Sequence, residues 1–400
     1  MTKKTKVVYV GPYAFPNGGA AARRILGNAL SLRDAGYEVL ISSGQMAEGV
    51  EEQKSPVENV YEGFRVISLG ERTAEKYPKL LKYLMYFNMG VKTITWLESL
   101  EKKPDVVILY SGYSPYLMRL MPWCKKNGVK FIFDAVEWYD PKSFISGLLS
   151  PYQWNIELAM RYYSKKTDNV IAISSYLQDH YDAQGCHTLR IPPTIDTKKI
   201  EPNLKASQEN DTLVVSYTGT PGNKDLFNEY LEAVLRLYEE GENIIFRFAG
   251  VTVAQLLLFP ALIQRNIKNT LPTVLDCRGI TSYEEAIAIT KSSDFSLLLR
   301  RPERYAHAGF PTKIVESLTM GTPVIINVTS DLGDYVHEGI EGLICNDHSI
   351  DALIASLKKA MTLSSEEKIQ MRHRAREQAE LSFDCFKYSQ VWKEFIQSNK

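Results

Sequence analysis

A group of basic side chains lies between two apolar stretches near residue 300. The first stretch, Phe295 to Leu299, leads into a loop that contains Arg300, Arg301, Arg304 and His307. A guanidinium group pairs with phosphate oxygens through two parallel hydrogen bonds, which a single ammonium group cannot do. The spacing therefore indicates chemistry on a phosphorylated ligand, with a purely solvated loop as the alternative.

A helix with an open N-terminus is predicted directly after this loop. Pro311 and Gly321 mark its start and end, because proline favours the first helical position and glycine the residue after the last. The free N–H groups of the helix Thr312 to Met320 and the positive end of its dipole suit a phosphate. If the loop holds the diphosphate of a nucleotide, Glu316 in the second turn can accept hydrogen bonds from ribose hydroxyls. An ordinary solvated glutamate is the alternative.

The elements around this site alternate between strand and helix. Lys6 to Val10 is an apolar strand, and a glycine-rich loop, an amphipathic helix and a second strand follow it. This βαβ order predicts a doubly wound sheet. Gly11, Gly18 and Gly19 do not have the G-x-G-x-x-G spacing of dinucleotide-binding proteins, so a dehydrogenase is disfavoured.

A break in composition divides the chain. The stretch from Asp196 to Asp211 is polar and lacks apolar periodicity, as expected of a boundary between domains. We predict a first domain over residues 1–195, a linker over 196–210 and a second domain over 211–385.

The segment AGFPTKIVESLTMGTPVI resembles the donor-binding signature of retaining glycosyltransferases with the GT-B fold, the large family 4 class. That consensus is E-G-F-G-L-P-V-L-E-A-M-A-C-G-x-P-V, and Glu316 takes the position of its second glutamate. The other matching residues are Gly309, Phe310, Gly321, Pro323 and Val324. Ala308 replaces the first glutamate, which in the family usually meets the transferred sugar. The sequence GFPTK is similar to that of a sub-branch of the family found in surface-polysaccharide and capsule loci.

The resemblance implies an α/β protein of GT-B type, with two Rossmann-like doubly wound domains facing a central cleft. The C-terminal domain would bind a nucleoside-diphosphate sugar of UDP or GDP type, and the N-terminal domain an acceptor. A last helix, within residues 386–400, would pack back on the first domain. The implied reaction is transfer to a hydroxyl of a saccharide or lipid-linked saccharide with retention of configuration. It needs no metal ion and no cofactor.

The resemblance also assigns donor-binding residues. They are Gly219, Thr220, Lys224, Arg278, Gly279, Arg300, Arg301, Arg304, Gly309, Phe310, Thr312, Lys313 and Glu316. Family members usually show G-R and then K-G before a helix; Gly219 and Lys224 match, whereas Thr220 replaces the arginine. We therefore expect Arg300 to supply the missing charge and to act in catalysis with Lys224. Arg301 points the other way if strand alternation persists.

Four residues are candidates for the acceptor side. Gly18 and Gly19 resemble the family's glycine loop, and glycines that only form a turn are the alternative. Asp134 and Glu137 follow the strand Val129 to Asp134, at the sheet edge where doubly wound proteins bind ligands. Both carboxylates are candidates to orient an acceptor hydroxyl, with Glu137 as the catalytic candidate, and a helix cap or turn is the alternative. Val136 stands where the family often has histidine.

Composition limits the remaining classes. A formal net charge of zero argues against a nucleic-acid binder. The five scattered cysteines indicate reduced thiols in a cytoplasmic protein. No stretch reaches the roughly 20 apolar residues of a membrane span. The aromatic and lysine-rich stretch Tyr77 to Lys103 suits either the inner membrane face, as a peripheral contact, or a buried core.

Two other classes of protein stay open. One is a catalytically inactive nucleotide-sugar binding or scaffold protein of a glycosylation pathway, which would explain Ala308 and Thr220. The other is a nucleotide-sugar epimerase, although the carboxylates and histidines that it needs are not located in the sequence.

Overall fold

The chain forms two compact units. The computed structural model describes residues 4–47, 49–50, 53, 55–72, 78, 81, 85–139, 151–205, 212–222 and 224–398. The first unit contains Met1–Ile195, His307–Phe310 and Cys385–Lys400, and the second contains Asp196–Ala306 and Pro311–Asp384. Residues 206–210 of the predicted linker lie outside the described residues, and so do residue 211 and part of the stretch 77–103.

The first unit is built on one large sheet. Its strands are β1 (Lys6–Gly11), β2 (Glu38–Ser43), β3 (Val57–Tyr61), β4 (Phe64–Ser68), β5 (Val106–Tyr110), β6 (Lys130–Ala135), β7 (Asn169–Ala172) and β8 (His187–Arg190). In the described residues their order is β3-β4-β2-β1-β5-β6-β7-β8. All neighbours are parallel except β3 and β4. The described helices between them are α1 (Gly19–Asp34), α2 (Val91–Ser99), α3 (Ser114–Asn127), α4 (Pro151–Leu158) and α5 (Ser175–Asp182).

The second unit repeats this design with a smaller sheet. Its strands are β9 (Leu213–Thr218), β10 (Ile244–Ala249), β11 (Leu275–Cys277), β12 (Phe295–Leu298), β13 (Val324–Asn327) and β14 (Gly342–Cys345). Its helices are α6 (Phe227–Glu239), α7 (Val253–Leu256), α8 (Pro260–Gln264), α9 (Tyr283–Lys291), α10 (Arg304–Ala308, whose last two residues group with the first unit), α11 (Thr312–Thr319), α12 (Ile350–Thr362) and α13 (Ser365–Ser382). The strand order is β11-β10-β9-β12-β13-β14, and all pairs are parallel. The predicted fold class, two doubly wound α/β domains, is confirmed.

The C-terminal helix α14 (Ser389–Gln397) belongs to the first unit. Trp392, Phe395 and Ile396 are buried in the same apolar cluster as β1 and α1 residues. The hydroxyl of Ser31 donates to the Cys385 carbonyl at 2.6 Å and fixes the start of this last segment. Apolar burial of this size anchors a terminal helix that would otherwise fray.

Two predicted boundaries near residue 300 differ from the observed ones. The strand ends at Leu298 and not at Leu299, because both backbone groups of Leu299 bond to the Tyr230 hydroxyl instead of to a neighbouring strand. The basic loop contains the short helix α10, which the sequence did not indicate. Pro311 is the residue before α11 and not its first residue, and Gly321 ends the helix with φ +72°.

Candidate active site

The second unit has one place where its strand order reverses. From β9 the chain builds outward to β10 and β11, and then returns to place β12 on the other side of β9. Open α/β sheets bind ligands at such a point, beyond the carboxyl ends of the two central strands. Here β9 is followed by Gly219, and β12 is followed by Leu299 and Arg300.

Three glycine-containing turns pack closely at this carboxyl edge. Gly219, Gly250 and Gly279 have φ values of +111°, +101° and +72°. The Gly250 N–H donates to the Gly279 carbonyl at 2.7 Å. A Cβ atom on Gly250 would lie 2.3 Å from the Gly219 carbonyl carbon. The close approach of these backbones requires glycine, and it leaves the edge free of side chains that would block a ligand.

Arg300 is held by its backbone at the end of β12. Its N–H donates to Asn327 Oδ1 at 2.8 Å, and Asn327 Nδ2 donates to its carbonyl at 2.9 Å. The Arg300 side chain is 14% exposed and approaches Asp225, whereas the Arg301 side chain is 47% exposed and bonds to Glu229 at 2.8 Å. The two arginines thus point to different partners.

Lys313, in the first turn of α11, reaches the same place. Its Nζ donates to the Tyr217 hydroxyl at 2.5 Å and to Asp225 Oδ2 at 3.4 Å. A Cβ atom on Gly219 would lie 3.2 Å from the Lys313 Cε. Burial lowers the pKa of Lys313 to about 8, and the positive charge of Arg300 acts in the same direction against the opposing effect of Asp225.

Asp225 lies between these two cations. Its Oδ2 accepts hydrogen bonds from the Tyr217 hydroxyl at 2.7 Å and from the Gly222 N–H at 3.5 Å. Its Oδ1 is 4.0 Å from an Arg300 terminal nitrogen. Burial raises the pKa of Asp225, but Lys313, Tyr217 and Arg300 together bring it below its ordinary value. At neutral pH this group of three charged side chains therefore has an excess of positive charge, which attracts a phosphate.

The other predicted donor residues surround this group. Lys224 directly precedes Asp225, and its carbonyl accepts a bond from the Tyr305 hydroxyl at 3.4 Å. Glu316 is half-buried in the second turn of α11, and its negative charge acts on Lys313. Thr220, beside Gly219, is exposed, and Thr312 starts α11.

Four further predicted donor residues have other surroundings. The Arg278 guanidinium is 51% exposed and pairs with Asp276 at 2.7 Å, beside the Gly279 turn. Gly309 and Phe310 are buried, and they group with the first unit. Arg304 is half-buried at the start of α10.

Solved structures share this fold over the whole chain. Sucrose-phosphate synthase from Thermosynechococcus elongatus aligns with a TM-score of 0.71 at 11% identity, covering 98% of this chain and 99% of that one. OtsA, a trehalose-6-phosphate synthase, aligns at 0.72 with 13% identity over 99% and 100%. HepE from Anabaena, solved in complex with UDP-glucose, aligns at 0.67 with 14% identity over 97% and 98%. No curated protein matches the sequence.

Two family models match consecutive parts of the sequence. Residues 19–193 match the glycosyl transferase 4-like domain, and residues 203–381 match glycosyl transferases group 1. The chain belongs to the family 4-like GT-B glycosyltransferases. The group 1 match covers the entire charged group of this glycosyltransferase, including Lys313, Asp225 and Arg300.

The two carboxylates predicted for the acceptor side of the glycosyltransferase have different surroundings. Asp134 is completely buried; it accepts a bond from the Tyr9 hydroxyl at 2.5 Å and pairs with Arg24 at 2.7 Å. These bonds give Asp134 a structural role in the first unit and correct the interpretation that it orients an acceptor. Glu137 is exposed beyond the end of β6, and its charge helps to raise the pKa of half-buried Tyr110, after the larger effect of burial.

The two predicted acceptor-side glycines also differ. A Cβ atom on Gly18 would lie 1.9 Å from the Ala14 carbonyl oxygen, so close packing requires a glycine there. Gly19 is exposed, has φ +61° and has open space around its Cα. Of the two, Gly19 is the one whose surroundings allow the approach of a ligand.

Sequence reasoning did not identify Asp225, Tyr217 and Asn327, which contact Lys313 or Arg300 at this edge. A signal existed for Asp225, because it follows Lys224 where the family's K-G pair has glycine. Tyr217 lies in a strand and Asn327 at the end of another, and both read as ordinary sheet residues. Only the parallel pairing of β9, β12 and β13 brings them to the same edge.

Proposed function

We propose that this enzyme transfers a sugar from a nucleoside-diphosphate sugar to a hydroxyl of a saccharide or lipid-linked saccharide acceptor, with retention of anomeric configuration and without a metal ion. The observation that carries the proposal is the position of Arg300 and Lys313 at the strand-order reversal of the second unit. Both cations lie beside the N-terminus of α11, so three sources of positive potential converge on one edge.

These groups fit the charge that the reaction develops. The bond from the sugar to the diphosphate breaks, and the departing diphosphate gains negative charge. Arg300 donates from a fixed fork and Lys313 as a point charge, so together they stabilise an oxygen-rich leaving group. Retention and surface-polysaccharide synthesis are proposed from the resemblance of AGFPTKIVES to the signature of retaining enzymes of that kind.

The donor is proposed to carry uridine. HepE was solved with UDP-glucose, and an Escherichia coli trehalose-6-phosphate protein related in fold was solved with UDP-2-fluoro glucose. Calorimetric titration with UDP, GDP, UDP-glucose and GDP-mannose tests this assignment. We expect binding of a uridine nucleotide that Lys313→Ala weakens and Glu303→Ala, in the exposed part of the loop, does not. Binding that is the same in both variants contradicts the placement of the site.

The proposed independence of metal ions has a direct test. We expect sugar transfer from the donor identified by titration to continue in saturating EDTA, because Arg300 and Lys313 supply the charge that a divalent ion would supply. Loss of transfer that manganese or magnesium restores would contradict the proposal. Nuclear magnetic resonance of the first product formed assigns the anomeric configuration and tests retention.

We further propose that the first unit contacts the cytoplasmic face of a membrane, where a lipid-linked acceptor would lie. The five cysteines form no disulfide bond with one another, which fits a reducing compartment. Among the described residues no helix is long and apolar enough to cross a membrane. Contact would therefore be made by a surface of the unit.

An apolar face on α4 and the turn after it supports this contact. Trp154, Leu158 and Tyr162 recur every four residues and are 63%, 43% and 50% exposed. Exposed Lys165 and Lys166 follow directly. A helix that presents tryptophan and leucine beside basic residues binds the interface of an anionic membrane.

The aromatic stretch noted in the sequence and the helix α3 each add an exposed apolar side chain to the first unit. Phe87 is 66% exposed and Met118 is 50% exposed. Asn155, on α4, connects their segments, because its side chain donates to the Tyr86 hydroxyl at 2.7 Å and accepts from the Ser114 N–H at 2.8 Å. The stretch 77–103 is divided, since Trp96 and Leu97 at its end are buried core.

Sedimentation with lipid vesicles tests the membrane contact. We expect the protein to bind vesicles that contain phosphatidylglycerol more strongly than vesicles of phosphatidylcholine alone. The double variant Trp154→Glu/Leu158→Glu should lose this binding, whereas Leu258→Glu, at a residue 74% exposed in the second unit, should keep it. Equal binding by the double variant and the control would contradict the assignment of the face.

A further inference from the structure

Two buried polar atoms of the charged group lack hydrogen bonds. Asp225 Oδ1 and Arg300 Nε have no hydrogen-bond partner among the residues that the structure describes. Their side chains are only 10% and 14% exposed, and the nearest approach between them is the 4.0 Å distance from Oδ1 to a terminal nitrogen of Arg300. Buried polar atoms normally have partners, because an unsatisfied one costs about 1–3 kcal/mol. The two atoms therefore mark a position that a polar group from outside the chain would occupy.

The chemistry of the two atoms restricts that group. Asp225 is ionised, because its pKa is below the ordinary value, so Oδ1 only accepts. The Arg300 Nε–H only donates. A phosphate oxygen can accept from Arg300 but repels Asp225, and an ammonium group has the opposite problem. A hydroxyl satisfies both, since it donates to Asp225 and accepts from Arg300.

The other contacts of Asp225 leave this oxygen directed to a ligand. Its Oδ2 is occupied by Tyr217 at 2.7 Å and by Lys313 at 3.4 Å, which fix the orientation of the carboxylate. Arg300 is fixed at its backbone by Asn327. The two unsatisfied atoms are thus held by rigid neighbours, as recognition of a small group requires.

We propose that Asp225 and Arg300 bind a hydroxyl group of the transferred sugar, so that Asp225 is a specificity-determining residue for the donor. This inference rests on the proposed function, because it needs a nucleotide sugar at the same edge. It also accounts for Ala308, where the related signature has a carboxylate that meets the sugar. Ala308 is completely buried, and its carbonyl accepts the Ser174 hydroxyl at 2.8 Å in the first unit. The carboxylate for the sugar comes instead from the turn before α6.

The test compares binding of a nucleotide with binding of its sugar conjugate. Calorimetry of UDP and UDP-glucose, and of GDP and GDP-mannose, is carried out on the wild type, on Asp225→Asn and on Glu229→Gln. Glu229 pairs with Arg301 at 2.8 Å, so its substitution removes a neighbouring acid–arginine pair outside the proposed contact. We expect Asp225→Asn to weaken binding of the sugar conjugate at least about tenfold more than binding of the nucleotide, because the charged acceptor of the hydroxyl is lost. Glu229→Gln should change both ligands equally or not at all.

A second measurement begins with the unmodified protein, so its first result does not depend on whether a variant folds. A set of sugar nucleotides in which one hydroxyl at a time is replaced by fluorine is titrated against the wild type. Fluorine does not donate to Asp225, so one member of the set should bind at least about tenfold more weakly. Asp225→Asn should be insensitive to that same replacement, which is the coupling expected of two groups in contact.

Three outcomes overturn the inference. If Asp225→Asn weakens UDP and UDP-glucose equally, the residue only positions Lys313 and Arg300, and the two atoms are satisfied by water. If no fluorinated sugar binds more weakly than its parent, no hydroxyl is recognised. If the wild type binds the nucleotides but not their sugar conjugates, the edge holds a nucleotide only. Failure to bind any nucleotide would instead overturn the proposed function, and this inference with it.

Discussion

The two units each place an arginine–aspartate pair beneath the carboxyl edge of a doubly wound sheet, and the pairs differ in how completely they are bonded. In the first unit Arg24 and Asp134 are 2% and 0% exposed and lie 2.7 Å apart. In the second unit Arg300 and Asp225 are 14% and 10% exposed and lie 4.0 Å apart.

The difference is largest in the remaining hydrogen-bond capacity. Arg24 donates to both oxygens of Asp134 and to the Ile191 carbonyl, and Tyr9 donates to the same carboxylate. Asp225 Oδ1 and Arg300 Nε, in contrast, have no hydrogen-bond partner in the described part of the chain. A buried ion pair with complete bonds holds a fold together, whereas one with incomplete bonds has capacity for a ligand. Residue type alone does not separate these two cases.

Breaking the fully bonded pair of Arg24 and Asp134 should have the largest effect, and that effect should be on stability. Arg24→Ala leaves Asp134 buried and uncompensated, which costs about 3–5 kcal/mol. We expect the first unit to unfold at much lower urea concentration, followed by circular dichroism. Arg300→Ala, with a partner already 4.0 Å away, should unfold close to the wild type. Equal loss of stability in the two variants would show that both pairs are structural.

Removing Arg300, from the incompletely bonded pair of Arg300 and Asp225, should lower turnover and leave stability almost unchanged. In the proposed mechanism Arg300 meets negative charge that grows as the diphosphate departs. Arg300→Ala should therefore lower kcat about 10²–10³-fold and raise KM much less. Arg301→Ala is the matched control, since that guanidinium bonds to Glu229 and is 47% exposed. If Arg301→Ala loses turnover and Arg300→Ala does not, the assignment within the loop is wrong. Thr220→Arg in the Arg300→Ala background tests whether charge at the family's usual position restores activity.

How much of this difference the sequence could predict depends on the range of the contacts. The strand and helix order and the position of α11 follow from local patterns. The choice of Arg300 over Arg301 stays a prediction, because β12 ends at Leu298 and strand alternation does not reach the two arginines. Asp134 and Asp225 could not be distinguished, since their partners Arg24 and Arg300 are distant in sequence and meet only through the sheet order. The Asn327 contact and the helix α10 have no local signal either.

A smaller effect should come from Glu316, whose negative charge acts on Lys313. Glu316→Ala would remove the charged acceptor that we predict for the ribose hydroxyls, which corresponds to about 1.5–3 kcal/mol of donor binding. Calorimetry with UDP measures the change directly. Glu303→Ala, in the exposed part of the arginine loop, serves as the control. An unchanged affinity for UDP in Glu316→Ala would remove this residue from the site, which would then consist of the charged group of Arg300, Lys313 and Asp225.

The smallest expected effect is a pH dependence of UDP binding, which should come from Lys313 in the charged group. Burial lowers the pKa of Lys313 to about 8, so the donor-free protein loses this charge as pH rises through that value. A bound diphosphate favours the charged form and raises the pKa, so binding above pH 8 takes up a proton. Affinity for UDP should therefore be constant well below pH 8 and fall by up to about tenfold per pH unit above it.

The same shift fixes the sign for stability. Lys313 has a folded-state pKa of about 8 against 10.5 for the unconstrained group, so between these values the unfolded chain binds more protons. The donor-free protein should then become more stable as pH rises through this window, while it binds UDP less tightly. Calorimetry in two buffers of different ionisation enthalpy measures the proton uptake. Lys313→Arg stays charged throughout and should abolish it, which also accounts for any titration of the nucleotide itself. If the proton uptake persists in Lys313→Arg, a group other than Lys313 takes up the proton when UDP binds.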